Sequence, residues 1–90
     1  MSISIKIISN NEYEVTVKSK TVTTHLVTLS DEVHKNLTNE KVTKEELLDF
    51  SFKFLLDRES NTSILSSFEL TVISRYFSDY EKSVKKWCSS

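Results

Sequence analysis

The sequence predicts an α+β fold, in which an N-terminal three-stranded antiparallel β-meander over residues 1–29 precedes a helical part over residues 30–88. Two observations predict this order. Apolar and polar residues alternate through the first third of the chain, as in strands with one buried face. From residue 43 onward, apolar residues recur at helical spacing. We therefore expect the meander to be followed by a short helix, a long central helix and two or three short C-terminal helices.

The first two strands are predicted by strict alternation. Their apolar members are Ile3, Ile5, Ile7, Tyr13, Val15 and Val17. Between the two strands, Asn10 and Asn11 are expected to form the turn, because Asn adopts positive φ more readily than other residues with a side chain. The result would be a β-hairpin with one apolar face.

The segment over residues 21–29 is rich in β-branched residues and is predicted to pair as the third strand. Ser30 then resembles a helix N-cap, because Asp31 and Glu32 place two negative charges in a first turn whose free N–H groups favour them. We expect a short helix that runs to about Leu37.

The central helix is predicted over residues 43–58. Thr43 and Glu46 have the spacing of a capping box, and Val42 and Leu47 stand at the two positions of a hydrophobic staple. On a helical wheel the apolar residues of this segment cover about 240°, far more than a helix with one buried face needs. We therefore expect coverage on two sides. The expected solvent face consists of Glu46, Asp49, Lys53 and Asp57.

The C-terminal region is predicted to be helical from residue 62. Ile64, Leu65 and Phe68 suggest one short helix. Ser78 and Glu81 repeat the capping pattern, so we expect the region to break at Ser78. A narrow apolar stripe spans this break, and it consists of Ile73, Tyr76, Phe77, Tyr80, Val84 and Trp87.

Composition excludes several kinds of site and indicates a compartment. A chain of 90 residues forms one domain, and with no Gly it cannot build a P-loop, a dinucleotide-binding fingerprint, an EF-hand or a nucleophile elbow. The net charge of −1 creates no field that would draw the chain to nucleic acid or to an anionic membrane.

The single Cys88 cannot form an internal disulfide, and the first residues lack the apolar segment of a secretory signal. No apolar run approaches the ~18 residues of a membrane span, so we expect a cytoplasmic protein.

Several short segments stand at consistent spacing between residues 24 and 81. They are His25 and the segments 27–29, 51–59, 63–65, 68–70 and 72–81. Together they resemble a family of short uncharacterised bacterial proteins. Members typically have Pro or Gly at three places where this chain has Ser60, Ser78, and Asn39 or Glu40. The resemblance implies the order of the elements and a bacterial source, and it implies no activity.

His25 is the most interesting titratable residue, since an imidazole can act as a base near neutral pH. No nucleophile or orienting carboxylate stands at a fixed offset from it, so a structural histidine is the favoured interpretation. A zinc site would need three or four ligands, and the chain offers only His25, His34 and Cys88 beside carboxylates, without a paired ligand spacing. We expect no catalytic residue, no metal and no cofactor.

Arg58 and Arg75 are the only arginines beside ten lysines. A guanidinium presents a planar fork that suits a carboxylate such as Glu59, Glu69 or Glu81. The favoured interpretation is a helix-end charge for Arg58 and a packing ion pair for Arg75, and anion or phosphate binding is the alternative. The basic C-terminal tail could contact nucleic acid, but a solvated helix face explains it as well. That tail contains Lys82, Lys85, Lys86 and Trp87.

Two classes of function remain open. The first is a non-enzymatic protein–protein interaction or adaptor module, which the wide apolar arc and an exposed sheet edge favour. The second is a small ligand- or anion-binding protein, or a weak enzyme, organised around His25 with Arg58 or Arg75. A closed pocket of ~300 Å³ or more lined by His25 and one of these arginines would favour the second class.

Part of the aromatic surface is expected to be left over for another chain, because the C-terminal stripe is spread over a region that breaks at Ser78. Large aromatic residues are also the ones that anchor interfaces. The candidate interface consists of Tyr76, Tyr80 and Trp87. A homodimer is the simplest assembly that would use it, since two-fold pairs are the commonest oligomers. The alternative is that the C-terminal helices fold fully onto the central helix and that the protein is a monomer, which would leave only a different protein as partner. We expect neither nucleic acid nor a membrane as a partner.

Overall fold

A computed structural model of the chain describes residues 1–89 and confirms the α+β class. A four-stranded sheet packs one face against helices. The strands are β1 (Ser2–Ile7), β2 (Glu12–Lys18), β3 (Val22–Thr28) and β4 (Ser67–Glu69), and the helices are α1 (Asp31–Thr38), α2 (Lys44–Leu56), α3 (Val72–Tyr76) and α4 (Tyr80–Ser89). A 3-10 turn, Asn61–Ser63, lies between α2 and β4. No helix within residues 1–89 is both long enough and apolar enough to cross a bilayer.

The predicted meander of β1, β2 and β3 is confirmed. Both pairings are antiparallel, and Val15 lies opposite Ile5 on one side and His25 on the other. Since side chains alternate between the faces of a sheet, the alternating apolar residues of β1 and β2 share the covered face with His25 and Val27 of β3, whereas Val22 and Leu26 of β3 lie on the exposed face. Val15 and Val17 are fully buried there. The alternation in the sequence therefore sets the register of this part of the sheet.

The prediction of a helix at Ile64, Leu65 and Phe68 was wrong: Ile64 and Leu65 lie between the Asn61–Ser63 turn and β4, and Phe68 lies in β4 itself. β4 pairs with β3 in parallel, with Phe68 opposite Val27. The Leu26 amide donates to the Ser66 carbonyl at 2.8 Å at the start of this pairing. The spacing of a few apolar residues cannot separate a short strand from a helical turn, and here the free edge of β3 decides between them.

Helix α1 begins where the sequence predicts it. The Ser30 hydroxyl accepts a hydrogen bond from the Val33 amide at 3.2 Å, as an N-cap does. The helix ends in a left-handed turn, with φ of 53° at Asn39 and 61° at Glu40. Glycine adopts this conformation without steric cost. Asn39 and Glu40 adopt it although both residues carry a side chain.

Helix α2 begins with the predicted capping box. The Thr43 hydroxyl accepts from the Glu46 amide at 3.1 Å, and the Glu46 carboxylate accepts from the Thr43 amide at 2.9 Å. These bonds satisfy two amide groups that have no partner inside the helix. The helix therefore starts at Lys44, one residue after the first residue of the predicted segment.

Helix α2 is covered on two sides, as its wide apolar arc predicts. Toward the sheet, the Phe52 ring lies 5.5 Å from the His25 ring and 6.1 Å from the Phe68 ring, measured between centroids. On the opposite side, the Phe54 ring makes edge contacts with Phe77 at 5.9 Å and with Tyr80 at 5.3 Å. The helix is thus the central layer between the sheet and the C-terminal helices.

The predicted break in the C-terminal region is confirmed. Helix α3 ends at Tyr76 and helix α4 begins at Tyr80, and the residue after α3, Phe77, has an extended backbone with φ of −130°. The Phe77 amide still donates to the Ile73 carbonyl at 2.9 Å. The break changes the direction of the chain, so α3 and α4 place their side chains on different surfaces.

Candidate functional site

An open apolar groove lies between the C-terminal end of α2, the segment that leads into β4, and α3. We name it the α2–α3 groove, and its volume is about 340 Å³. It is lined by Leu55, Glu59, Ser63, Ile64, Leu65, Phe68, Val72, Ile73, Tyr76 and Phe77. Leu55, Ile64, Phe68 and Ile73 are buried, whereas Leu65 at 46% and Tyr76 at 69% are exposed at the rim. The groove therefore presents apolar surface that no other part of residues 1–89 covers.

The end of α2 shapes one wall of this groove. The Leu55 carbonyl accepts hydrogen bonds from the Arg58 and Glu59 amides, both at 2.9 Å, and these bonds turn the chain out of the helix. The Asn61–Ser63 turn follows, and the Ile64 amide after it donates to the Asn61 carbonyl at 3.3 Å. Ile64 and Leu65 then run in extended form toward β4, which places their side chains along the groove.

His25 bonds to the segment that forms the opposite wall of the groove, on the side away from the groove. Its Nδ1 atom lies 2.7 Å from the Leu65 carbonyl oxygen, and its Nε2 atom lies 2.8 Å from the Thr23 hydroxyl. Since the Leu65 carbonyl can only accept, Nδ1 is the ring nitrogen that carries the proton. Asn61 donates its side-chain amide to the Thr23 hydroxyl at 3.0 Å and to the Thr21 carbonyl at 3.1 Å. His25 and Asn61 together fix the chain that forms the groove.

These hydrogen bonds also limit the chemistry that the His25 ring can perform. The residue is 2% exposed, and both of its ring nitrogens are occupied by protein partners. A general base needs a nitrogen within hydrogen-bond reach of the substrate proton. His25 does not line the α2–α3 groove, so the structure places it as a support of the groove wall.

Arg58 joins the end of α2 to the link between α3 and α4. Its guanidinium donates to the Phe54 carbonyl at 3.0 Å and to the Asp79 carboxylate at 2.8 Å. The same group lies 3.5 Å above the centre of the Phe54 ring, which is a cation–π contact. The predicted carboxylate partner is thus Asp79, which the sequence analysis did not name.

Arg75 is exposed on α3 and takes part in none of the ion pairs within residues 1–89. No hydrogen bond or ion pair of that part of the chain joins His25, Arg58 and Arg75, and none of the three lines the α2–α3 groove. The structure therefore does not assemble the polar site that these residues were expected to form.

The three aromatic residues of the candidate interface have different environments. Tyr76 is exposed at the groove rim, whereas Tyr80 is fully buried, so Tyr80 must be removed from the candidate interface. The Tyr80 hydroxyl lies 2.6 Å from the Ser51 hydroxyl, and burial raises the pKa of the Tyr80 phenol. Trp87 is half-buried, with its ring stacked on Phe50 at a centroid distance of 4.4 Å. Only Tyr76 lies at the groove.

The described part of the chain contains no cluster of side chains that could bind a metal ion. Residues 1–89 contain no group of three or more His, Cys, Asp or Glu side chains placed to hold an ion. The His34 Nε2–H donates to the Val42 carbonyl at 2.6 Å, because a carbonyl oxygen can only accept. The polar groups of the groove lining are the Glu59 carboxylate, the Ser63 hydroxyl and the phenol hydroxyl of Tyr76 at the rim.

Sequence reasoning did not identify the groove. Leu65 and Phe68 were assigned to a helix, and that assignment would have turned them onto one packed face. The available signal was the run of small polar residues on both sides of Ile64 and Leu65, which is typical of a loop or a strand. Those residues are Ser60, Asn61, Thr62, Ser63, Ser66 and Ser67.

Comparisons of this chain with protein-family models, with curated proteins and with solved structures found no match. The resemblance to short uncharacterised bacterial proteins therefore stays a prediction.

Leu55 gives a first test of how α2 and the groove pack. The residue is 3% exposed and lines the groove floor. We expect Leu55→Ala to lower the free energy of unfolding by about 2–3 kcal/mol, the lower part of the range for buried Leu, because neighbouring groove residues can relax into the space. Chemical denaturation measures this change, and a loss below about 0.5 kcal/mol would show that Leu55 is not part of the core.

Proposed function

We propose that this protein is a non-enzymatic protein–protein interaction or adaptor module, and that its partner places an apolar side chain in the α2–α3 groove. The single observation that supports this proposal best is the exposure of Leu65 and Tyr76 beside a buried apolar floor. Interfaces gain most of their binding free energy where a large apolar side chain fills such a pocket. The groove is small, so it suits one anchor residue and its neighbours.

The composition of the lining also supports a contact function. Buried apolar side chains form the floor, and Glu59 and Ser63 are the polar side chains that could orient a partner. A catalytic site usually combines convergent polar groups with a nucleophile or base. The alternative of a ligand-binding protein or weak enzyme around His25 with Arg58 or Arg75 receives less support, because His25 and Arg58 already bond to protein groups.

We further propose a cytoplasmic location. Cys88 is a free, half-buried thiol, and a reducing compartment preserves such a thiol.

Affinity capture from a native cell extract tests the proposed function. The immobilised baits are the wild-type chain, Leu65→Ser and Tyr76→Ser, with Val22→Ser as the matched control. Val22 is an exposed apolar residue, at 63%, that does not line the groove. All three positions are exposed, so we expect each variant to stay within about 0.5 kcal/mol of wild-type stability.

We expect a protein that the wild-type and Val22→Ser baits retain and that both groove variants lose. Mass spectrometry identifies it. If all four baits retain the same proteins in the same amounts, the α2–α3 groove is not the binding surface.

A further inference from the structure

Strand β1 is the long free edge of the sheet. It stands at one end of the strand order and has six residues, whereas β4 at the other end has three. Proteins protect sheet edges with very short strands, with Pro, or with charged side chains, Lys above all. β4 is protected by its length, but β1 carries one charged residue, Lys6, and the chain contains no Pro.

The backbone groups that β1 leaves free belong to Ile3, Ile5 and Ile7. The Ile8 amide donates to the Glu12 carbonyl at 2.9 Å, so residue 8 bonds toward β2. In an antiparallel pair, the residues that bond to one neighbour alternate with those that point away from it. The even-numbered residues of β1 therefore bond to β2, and the N–H and C=O groups of the three isoleucines point outward.

The side chains of the same three isoleucines lie on the helix-covered face, but the helices cover them incompletely. Ile3 and Ile5 are half-buried, and Ile7 is 58% exposed. On β2, Val17 lies opposite Ile3 and Val15 lies opposite Ile5, and both valines are fully buried. At this edge, the apolar side chains on the core face are therefore partly exposed. The outward-pointing backbone groups of β1 also have no neighbouring strand to bond to within residues 1–89.

We propose that a second copy of this chain pairs antiparallel with β1 across a two-fold axis, and that the two four-stranded sheets form one continuous sheet. The partner must offer outward-pointing groups at alternate residues and apolar side chains on the same face. β1 itself meets both requirements, and a two-fold axis places identical surfaces against each other.

Two registers of this self-pairing place at least two isoleucines of β1 opposite isoleucines of the second copy and avoid like charges. One pairs Ile5 with Ile5 of the second copy and places Lys6 opposite Ser4. The other pairs Ile3 with Ile5 of the second copy and places Lys6 opposite Ser2. The register that would pair Lys6 with Lys6 is disfavoured, because like charges directly opposite each other on a sheet repel.

This contact uses the edge of the sheet opposite to β4, which contributes Phe68 to the α2–α3 groove. Substitutions at β1 and at the groove therefore test the self-pairing and the proposed function separately.

Light scattering behind a sizing column, from low micromolar to near-millimolar concentration, tests the self-pairing. We expect the wild-type mass to rise from 10.4 kDa toward twice that value. Ile7→Lys places a cation against an apolar residue of the second copy in either register, and we expect its mass to stay at 10.4 kDa. Val22→Lys is the matched control, since Val22 is equally exposed but lies on β3, and it should dimerise as the wild type does.

A second variant, Ile5→Pro, removes an outward-pointing N–H and no bond between β1 and β2. We expect it to be monomeric as well. A wild-type mass of 10.4 kDa at every concentration would overturn the proposal and leave the edge for a strand of another protein. Dimers that persist in both Ile7→Lys and Ile5→Pro would also overturn it, because another surface would then hold them.

Discussion

Replacing Tyr80 by Ala is expected to lower the free energy of unfolding by about 3–5 kcal/mol, the range for large buried aromatic side chains. Tyr80 is fully buried, and its ring makes an edge contact with Phe54 at 5.3 Å. Its hydroxyl bonds to the Ser51 hydroxyl at 2.6 Å. Truncation would leave a cavity between α2 and α4 and would remove a hydrogen bond inside it. Equilibrium chemical denaturation measures the loss.

Two further variants separate the parts of this effect. Ser51 donates its only hydroxyl proton to the Leu47 carbonyl at 2.7 Å, so Tyr80 is the donor in the bond between the two hydroxyls. Tyr80→Phe keeps the ring and removes this donor, and we expect a loss of about 1 kcal/mol. Tyr76→Ala is the control, because an exposed Tyr should cost less than about 0.5 kcal/mol. Equal losses in Tyr80→Ala and Tyr76→Ala would contradict the packing of α4 described above.

Replacing His25 by Ala is expected to cost about 3–4 kcal/mol, because a buried polar group that loses its partner costs about 1–3 kcal/mol and two are affected. The Leu65 carbonyl and the Thr23 hydroxyl each lose a hydrogen bond to the ring. The ring also packs against Phe52, so its removal opens a cavity beside α2. Chemical denaturation again gives the change in unfolding free energy.

His34→Ala is the matched control for His25. The His34 ring bonds to a backbone carbonyl as well, at Val42, but it is only half-buried and makes one such bond. We expect its loss to be about 1 kcal/mol. Hydrogen exchange adds a readout that is specific to the groove, since His25→Ala should speed exchange at the Leu26 amide, which donates to the Ser66 carbonyl. If His25→Ala costs no more than His34→Ala, His25 does not hold the groove wall.

The sequence predicts well those parts of the fold that short segments determine. Thr43 and Glu46 are three residues apart, and their capping box forms as expected. The meander follows from alternation, because adjacent strands joined by short turns pair with each other. The width of the apolar arc on α2 predicts coverage on two sides, since it is a property of a single helix.

Contacts between distant segments were not predictable from these patterns. The bond between His25 and the Leu65 carbonyl joins residues 40 positions apart, and neither residue type indicates the other. β4 depends on the free edge of β3, which exists only once the meander has formed. The groove follows from both features, so a local reading of Ile64 and Leu65 could not find it.

In the C-terminal region, the positions of Tyr76 and Tyr80 also could not be predicted from their spacing in the sequence. A single helix would place them on one face, since they are four residues apart. The extended backbone at Phe77 separates α3 from α4, so Tyr76 reaches the groove rim while Tyr80 turns into the core. The break was predicted, but the direction that α4 takes after it depends on the packing of Tyr80 against Phe54 and Ser51.

A methyl chemical-shift map tests most directly whether the α2–α3 groove is the binding surface. The probe is the tightest peptide selected from a random-peptide display on the wild-type chain, added to protein with labelled Ile, Leu and Val methyl groups. We expect the largest shifts in the methyl groups of Leu55, Ile64, Leu65, Val72 and Ile73, and a much weaker interaction with Leu65→Ser. Equal binding to Leu65→Ser, or largest shifts at methyl groups far from the groove such as Val17 and Val22, would contradict the proposal.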